Sequence, residues 1–225
     1  MRRLLLRAAA GLGALLASLA LVLFLAAGSP RFWQAWLYLA VFALCAALIT
    51  VDLVVRDPAL LARRVSAGPT AERERSQQVI SAVAGALFLA LHVVAGLDAR
   101  FGWSAVPVAA SLVAGLVMAA GFGVVLLTFR ANSYTSATVQ VAAGQALVDR
   151  GPYGIVRHPM YAGALLLVIA TPVALGSWVA LACVVPFALA IAARLLDEER
   201  YLRAHLRGYE AYRTRVPYRL VPFVW

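Results

Sequence analysis

The sequence predicts an all-α polytopic membrane protein of about six apolar helices, the last two forming a helix-turn-helix hairpin, with a cytosolic C-terminal helix. Three observations carry that expectation. The chain is 64% hydrophobic and 13% charged, with a mean hydropathy of +0.86, whereas a soluble domain carries roughly 25% charged residues. Its apolar residues are gathered in runs of spanning length. Its arginines stand at the ends of those runs. No polar linker is long enough to separate two units, so one membrane-embedded domain over 1–225 is expected. Within it, 1–129 reads as a four-span scaffold and 130–225 as a polar-rimmed core.

The first run, Leu4 to Ala27, ends at Gly28-Ser29-Pro30. Arg2, Arg3 and Arg7 before it and Ala26-Ala27-Gly28 after it have the outline of a secretory signal. The apolar stretch from Ala8 to Ala27 has the length of a span rather than of a signal core, so it is expected to be retained. The second run, Phe32 to Val55, stops at Arg56-Asp57-Pro58. The loop from Arg56 to Gln78 is amphipathic at Leu60, Leu61 and Val65 and is broken by Gly68-Pro69-Thr70, which places it at the interface. Val79 to Leu97 and Ser104 to Phe129 are the third and fourth runs. Each of these four can cross roughly 30 Å of hydrocarbon at 1.5 Å per residue.

The last two runs are shorter. Tyr161 to Thr171 is followed by Pro172 and Gly176 before Ser177 to Ala193 resumes. Proline removes a helix hydrogen bond and glycine permits a tight turn. Charge placement supports a hairpin here. With the N-terminus in the cytosol, an even number of crossings puts all of the 20 arginines except Arg31 and Arg100 on the cytosolic side. A single crossing over 161–193 would export the arginine-rich tail, against the positive-inside rule.

The net charge of +10 comes entirely from arginine; there is no lysine. The placement of those arginines at span ends assigns them to topology and anionic lipid, and no nucleic-acid partner is expected. Cys45 and Cys183 lie inside apolar runs without metal-ligand or redox spacing, so they read as small buried hydrophobes and no metal is expected. In the tail, Arg213, Arg215 and Arg219 alternate with Tyr212, Tyr218, Phe223 and Trp225, a mixture that anchors at headgroup level. The expected location is a bacterial plasma membrane with both termini cytosolic.

Polar residues gather at both ends of the hairpin. Arg157 and His158 precede the fifth run, and Pro159 suits its first helical turn. At the end of the sixth run, Arg194, Glu198, Tyr201 and His205 share one helix face. An exposed pair of this kind contributes only about 0.3–0.5 kcal/mol. However, Asp197, Glu198 and Glu199 are three consecutive acids in a chain that has ten, a density that points to a ligand. Asp52 can reach the interface, and His92 can hydrogen-bond within the bundle, so neither needs a functional role despite its depth.

The stretch Arg157-His158-Pro159-Met160-Tyr161-Ala162-Gly163, the hairpin after it, Arg194-x-x-x-Glu198-Glu199-x-x-Leu202, and Tyr209-x-x-Tyr212-x-x-Arg215-Val216-Pro217 together resemble the isoprenylcysteine carboxyl methyltransferase family. That family is related to the phospholipid N-methyltransferases. The resemblance covers roughly 132–225; the first four spans match only in being apolar. It implies S-adenosylmethionine as cofactor, held between the rims of the hairpin. By position it implies cofactor contacts at Gln140, Gln145, Ala146, Leu147, Val148, Tyr153, Arg157, His158, Pro159, Met160, Tyr161 and Glu198. It assigns the substrate to Arg194. Gln145 stands where the eukaryotic members often have histidine, and His205-Leu206-Arg207-Gly208 replaces their usual Phe-Gly pair.

The chemistry of the residues is compatible with that implication. A carboxylate such as Glu198 can pair with an ammonium, and Arg157 or backbone N–H groups can take a carboxylate. Tyrosine faces suit a sulfonium, at about 0.5–2 kcal/mol. Arg194 favours a carboxylate acceptor in a membrane lipid or lipidated substrate. For an amine acceptor Arg194 has the wrong sign, and Glu199 or a phosphate contact must act. A sterol-type reductase using a nicotinamide cofactor has a related C-terminal core, but carries Asn before the Tyr and Gly-Asp after it, where this chain has Pro159 and Gly163-Ala164. A non-catalytic scaffold is the remaining alternative.

Overall fold

The computed structural model describes residues 1–65, 75–135 and 146–225, and among these no strand occurs. The helices are α1 (Arg2–Ala27), α2 (Trp33–Arg56), α3 (Pro58–Val65), α4 (Arg75–Phe101), α5 (Val108–Ala131), α6 (Pro159–Ala174), α7 (Val184–His205) and α8 (Tyr209–Arg215). Short 3₁₀ turns occupy Gly151–Gly154 and Val179–Cys183. Four helices, α1, α2, α4 and α5, and the continuous helical run Val179–His205 are long and apolar enough to cross a membrane. This is an integral membrane protein. With 16 residues, α6 rises only roughly 24 Å, short of the hydrocarbon core.

Local chemistry sets the boundaries. α1 ends where Gly28 takes a left-handed conformation (φ 65°) and donates its N–H back to Leu25, the geometry glycine adopts without strain. α2 stops before Pro58. The Asp57 carboxylate then accepts the Leu60 N–H at 2.8 Å, and Pro58 opens α3 in the position where no donor is lost. The first part of the amphipathic loop expected here, Pro58–Val65, is therefore a helix, and Leu60 and Leu61 are buried against Ala8, Leu53 and Phe129. The break expected at Gly68-Pro69-Thr70 lies outside the described residues.

Close helix contacts run through small residues, as membrane packing requires. A side chain added at Gly121 would meet the Gly163 carbonyl at 2.9 Å, and one at Gly163 would meet the Gly121 carbonyl at the same distance. This contact seats α6 along α5. Gly96 performs the same service between α4 and α1, where it faces Ala26. Leu23, Tyr38, Leu91, Met118 and Leu175 fill the centre of the bundle.

The hairpin predicted from the last two runs is present, with its break slightly later than expected. α6 continues through Pro172 to Ala174. A proline so near the helix end leaves little helix beyond it to disrupt. The turn is made at Gly176, with φ 74°. Asp98 clamps this end of the molecule. Its carboxylate accepts the Ser104 N–H at 2.7 Å and the Ser104 hydroxyl at 2.6 Å, and also the Ser177 hydroxyl. The end of α4, its following loop and the hairpin turn are thereby joined.

At the opposite rim the Asp52 carboxylate accepts from Arg56 at 3.0 Å and from Arg130, tying α2 to α5. His92 is satisfied inside the bundle. Its Nδ1 lies 2.7 Å from the Phe88 carbonyl and its Nε2 lies 2.9 Å from the Tyr38 hydroxyl. A carbonyl only accepts, so Nδ1 carries the proton and Tyr38 donates to Nε2. Both polar groups are structural.

Candidate active site

The hairpin returns α7 to the rim from which α6 departs, and α7 then projects beyond it. The chain entering α6 is held from below by the tail. The Arg157 N–H donates to the Tyr218 carbonyl at 2.9 Å and the His158 N–H to the Arg219 carbonyl at 3.0 Å. Tyr212 donates its hydroxyl to the Tyr153 carbonyl at 2.7 Å. Tyr209, Tyr212 and Val216 pack as a small core under Leu147, Leu202 and Leu206.

Two adjacent glutamates on α7 face different ways. Glu199 is 4% exposed. It accepts from Arg157 Nε at 2.7 Å and from Arg219 Nε at 3.0 Å, and lies 3.4 Å from His158 Nε2. Arg157 Nη1 donates to the Val216 and Pro217 carbonyls. This buried knot locks the tail, the start of α6 and α7 together. Considered from sequence as a group that would act on an amine, Glu199 stands behind the cavity wall.

Glu198 faces the cavity. It accepts the Tyr161 hydroxyl at 2.6 Å, and the same hydroxyl accepts from Arg194 Nε at 3.0 Å. Arg194 also donates to the Ser81 hydroxyl on α4. The Arg194–Glu198 relation expected across one helix turn is thus built around Tyr161. Tyr201 and His205, placed on the same face by spacing, instead stack on each other at 4.1 Å and line a separate hollow with Gln77 and Asp197.

A single cavity collects the rims. Its empty space, open mouth included, is about 830 Å³. Ala146, Leu147, Val148, Tyr153, Arg157, His158, Pro159, Met160, Tyr161, Arg194 and Glu198 line it. Gln140 and Gln145 lie outside the described residues. Asn132, Thr135, Leu202, Tyr209 and Tyr212 also line it, and sequence reasoning had not placed them there. The Tyr209-x-x-Tyr212 spacing was the available signal.

Tyr209 is the most telling addition. It is 3% exposed, and its hydroxyl has no hydrogen-bond partner among the described residues. A buried polar atom of this kind calls for a ligand or water. Burial first, then the nearby Glu199 charge, holds the Tyr209 phenol above the ordinary tyrosine value. Burial does the same for Tyr153 and Tyr212. All three stay neutral and keep their protons for donation. Among the described residues no group of His, Cys, Asp and Glu could hold a metal ion.

The phospholipid methyltransferase family model matches residues 109–208. Over 95 residues the chain is 34% identical to the Delta(14)-sterol reductase TM7SF2 of Mus musculus, a match that covers 39% of this chain and 22% of that protein. The chain thus spans about a fifth of that curated relative. The family match contains all but the first residue of α5 and the whole of α6 and of α7, which bears Glu198, and so both rims of the cavity. Over residues 109–208, then, this membrane protein is similar to the phospholipid methyltransferase family.

Proposed function

We propose that the protein transfers a methyl group from S-adenosylmethionine to a lipophilic acceptor drawn from the bilayer, a carboxylate by preference and a phospholipid amine second. The single observation that carries this reading is the meeting of the two rims: Tyr161 from α6 bridges Glu198 and Arg194 of α7 on the wall of one cavity. In this reading the cavity faces the cytosol and both chain ends lie on that side, following the arginines. Residues 130–225 would then be the catalytic core on a scaffold of 1–129.

The donor set fits the cofactor. Glu198 supplies a carboxylate for an ammonium. Arg157 has Nε and Nη1 committed to Glu199 and two carbonyls, which leaves Nη2 for a ligand carboxylate. The Tyr209 hydroxyl has an unmet hydrogen bond. Tyrosine rings at 153, 209 and 212 offer faces to a cationic sulfur. Held there by Glu198, Arg157 and the tyrosines, S-adenosylmethionine would supply an activated methyl group, with a neutral thioether as leaving group. A carboxylate acceptor needs no proton moved in this exchange, which agrees with a cavity whose described residues form no nucleophile–base pair. The chain's task is alignment and dryness. Met160, Leu202 and Leu206 exclude water, and Arg194, oriented by Tyr161 and Ser81, supplies a positive charge toward an acceptor carboxylate.

The test is calorimetric titration of the purified protein with S-adenosylhomocysteine, beside radiolabelled methyl transfer to membrane lipids and prenylcysteine analogues. Micromolar binding is expected, with Glu198→Gln weakening it at least about tenfold while the fold stays intact. No binding and no transfer to any lipid-soluble acceptor would sink the proposal. The resemblance to a sterol reductase favours a second reading, reduction with a nicotinamide cofactor. Titration with NADPH separates the two, and saturable NADPH binding without S-adenosylhomocysteine binding would select it.

A further inference from the structure

Arg64 has no part in the cavity just described, yet it reaches α6 from the end of α3. Its Nη1 lies 3.5 Å from the Met160 sulfur, and its guanidinium stands 4.7 Å from the centre of the Phe129 ring. A thioether is a weak acceptor and a ring face a partial one. Neither carries a full negative charge, and no carboxylate pairs with Arg64 among the described residues. Burial, and secondarily the Arg194 charge, push it below the ordinary arginine value, while Tyr161 acts in the opposite sense. A half-buried guanidinium with no full counter-charge among the described residues favours an anion beside it.

Beside Arg64 a groove opens between α1, α2, α5 and α6, with about 1,520 Å³ of empty space including its open side. Small residues make the room: Ala8, Gly11, Ala46 and Ala164 line it, and a side chain added at Gly11 would touch nothing within 4 Å. Met160 and Tyr161 line both this groove and the polar cavity. The groove therefore ends against the back of the residue that bridges Arg194 and Glu198. A second hollow, beside α5, α6 and the tail, is lined by Leu165, Ile169, Leu220 and similar residues without any cation. It can take a hydrocarbon chain but cannot select a head group.

We propose that Arg64 reads the carboxylate of a long-chain amphiphile from the bilayer, whose hydrocarbon chain lies in the groove between α1, α2, α5 and α6. The word acceptor applies to this amphiphile only through the methyl-transfer reading; the binding itself does not depend on it. Charge complementarity chooses the head group, and continuity with the cavity at Met160 and Tyr161 chooses the groove. Arg64 is a specificity-determining residue in this scheme: it selects the head group at the groove, before Arg194 takes that carboxylate up in the cavity.

The probes are a pyrene-labelled long-chain fatty acid and the matching fatty alcohol. Each is titrated into the full chain in phosphatidylcholine nanodiscs at about pH 9, where the acid is ionised. No S-adenosyl compound is present. Wild type should hold the acid at least about tenfold more tightly than the alcohol. In an Arg7→Gln background, since Arg7 also lines the groove, Arg64→Gln should bring that ratio to about one while leaving alcohol binding unchanged, which also shows that the variant folds. Gly11→Phe, which fills the groove, should weaken both probes. Equal affinity of wild type for acid and alcohol, a preference that survives Arg64→Gln in that background, or full binding by Gly11→Phe would each overturn the proposal. A separate titration with S-adenosylhomocysteine distinguishes failure of the cofactor site from failure of this one.

Discussion

At the scale of single residues, Glu198 and Glu199 show how neighbours of one type divide the labour. A helix turns by about 100° per residue, so one carboxylate faces the cavity and the next faces the tail. Glu199 is held by Arg157 and Arg219 and lies close to His158, and a buried carboxylate with such partners serves to fix geometry. The acids were conspicuous in the sequence, but their separate duties were not. Which one meets the tail depends on Arg219 crossing under Arg157, a contact between segments 62 residues apart. Tyr209 is the sharper test at this scale. Its hydroxyl is buried and unpaired, so removing it should cost the free protein nothing and can stabilise it by up to about 1 kcal/mol. If a ligand supplies the missing bond, Tyr209→Phe should weaken S-adenosylhomocysteine binding about five- to tenfold. Calorimetry and a thermal melt on the same sample check both halves. Reduced stability together with unchanged ligand affinity would remove Tyr209 from the site.

At the scale of elements, the position of the cavity depends on how deeply α6 seats against α5. The Gly121 and Gly163 backbones approach so closely that a methyl group on either meets the other's carbonyl at 2.9 Å. A backbone atom cannot swing aside, so Gly163→Ala should part the helices and destabilise the protein by about 1–3 kcal/mol. Gly115, on the same α5 helix, has nothing within 4 Å of an added methyl, and Gly115→Ala should melt like wild type. Thermal unfolding in detergent, compared across the two variants, reads the difference. Equal melting would mean that the close approach does not seat α6. Much at this scale was legible: runs of hydrocarbon length announce the spans, and Gly28, Pro58 and Gly176 mark three of the turns. α3 was legible only as an amphipathic stretch. Its Leu60 and Leu61 are buried against α1 and α2, and nothing in eight residues says which surface they will meet. The same limit hid Arg64, whose partner Met160 is distant in sequence and close only after α3 docks.

At the scale of the whole molecule, the described arginines separate between the two ends as the hairpin topology requires. Arg100 stands beside Gly28 at the far end, close to the Asp98 clamp that secures the hairpin turn. Arg56, Arg130, Arg157 and Arg194 gather at the end that carries the cavity. This partition could be read from sequence because the positive-inside rule acts on the chain as a linear object, before tertiary contacts form. The cavity's final shape could not, since it needs the α8 and tail residues folded back beneath α6. In the methyl-transfer reading, the cofactor enters from the arginine-rich face. Arg100 and Arg207 are both exposed and lie on opposite sides in this topology. In a background with Cys45 and Cys183 replaced by alanine, Arg100→Cys should react with a membrane-impermeant maleimide on intact cells. Arg207→Cys should react only after permeabilisation. Labelling of Arg207→Cys on intact cells would put the cavity on the outer face, away from the cytosolic supply of S-adenosylmethionine, and the methyl-transfer reading would fall with it.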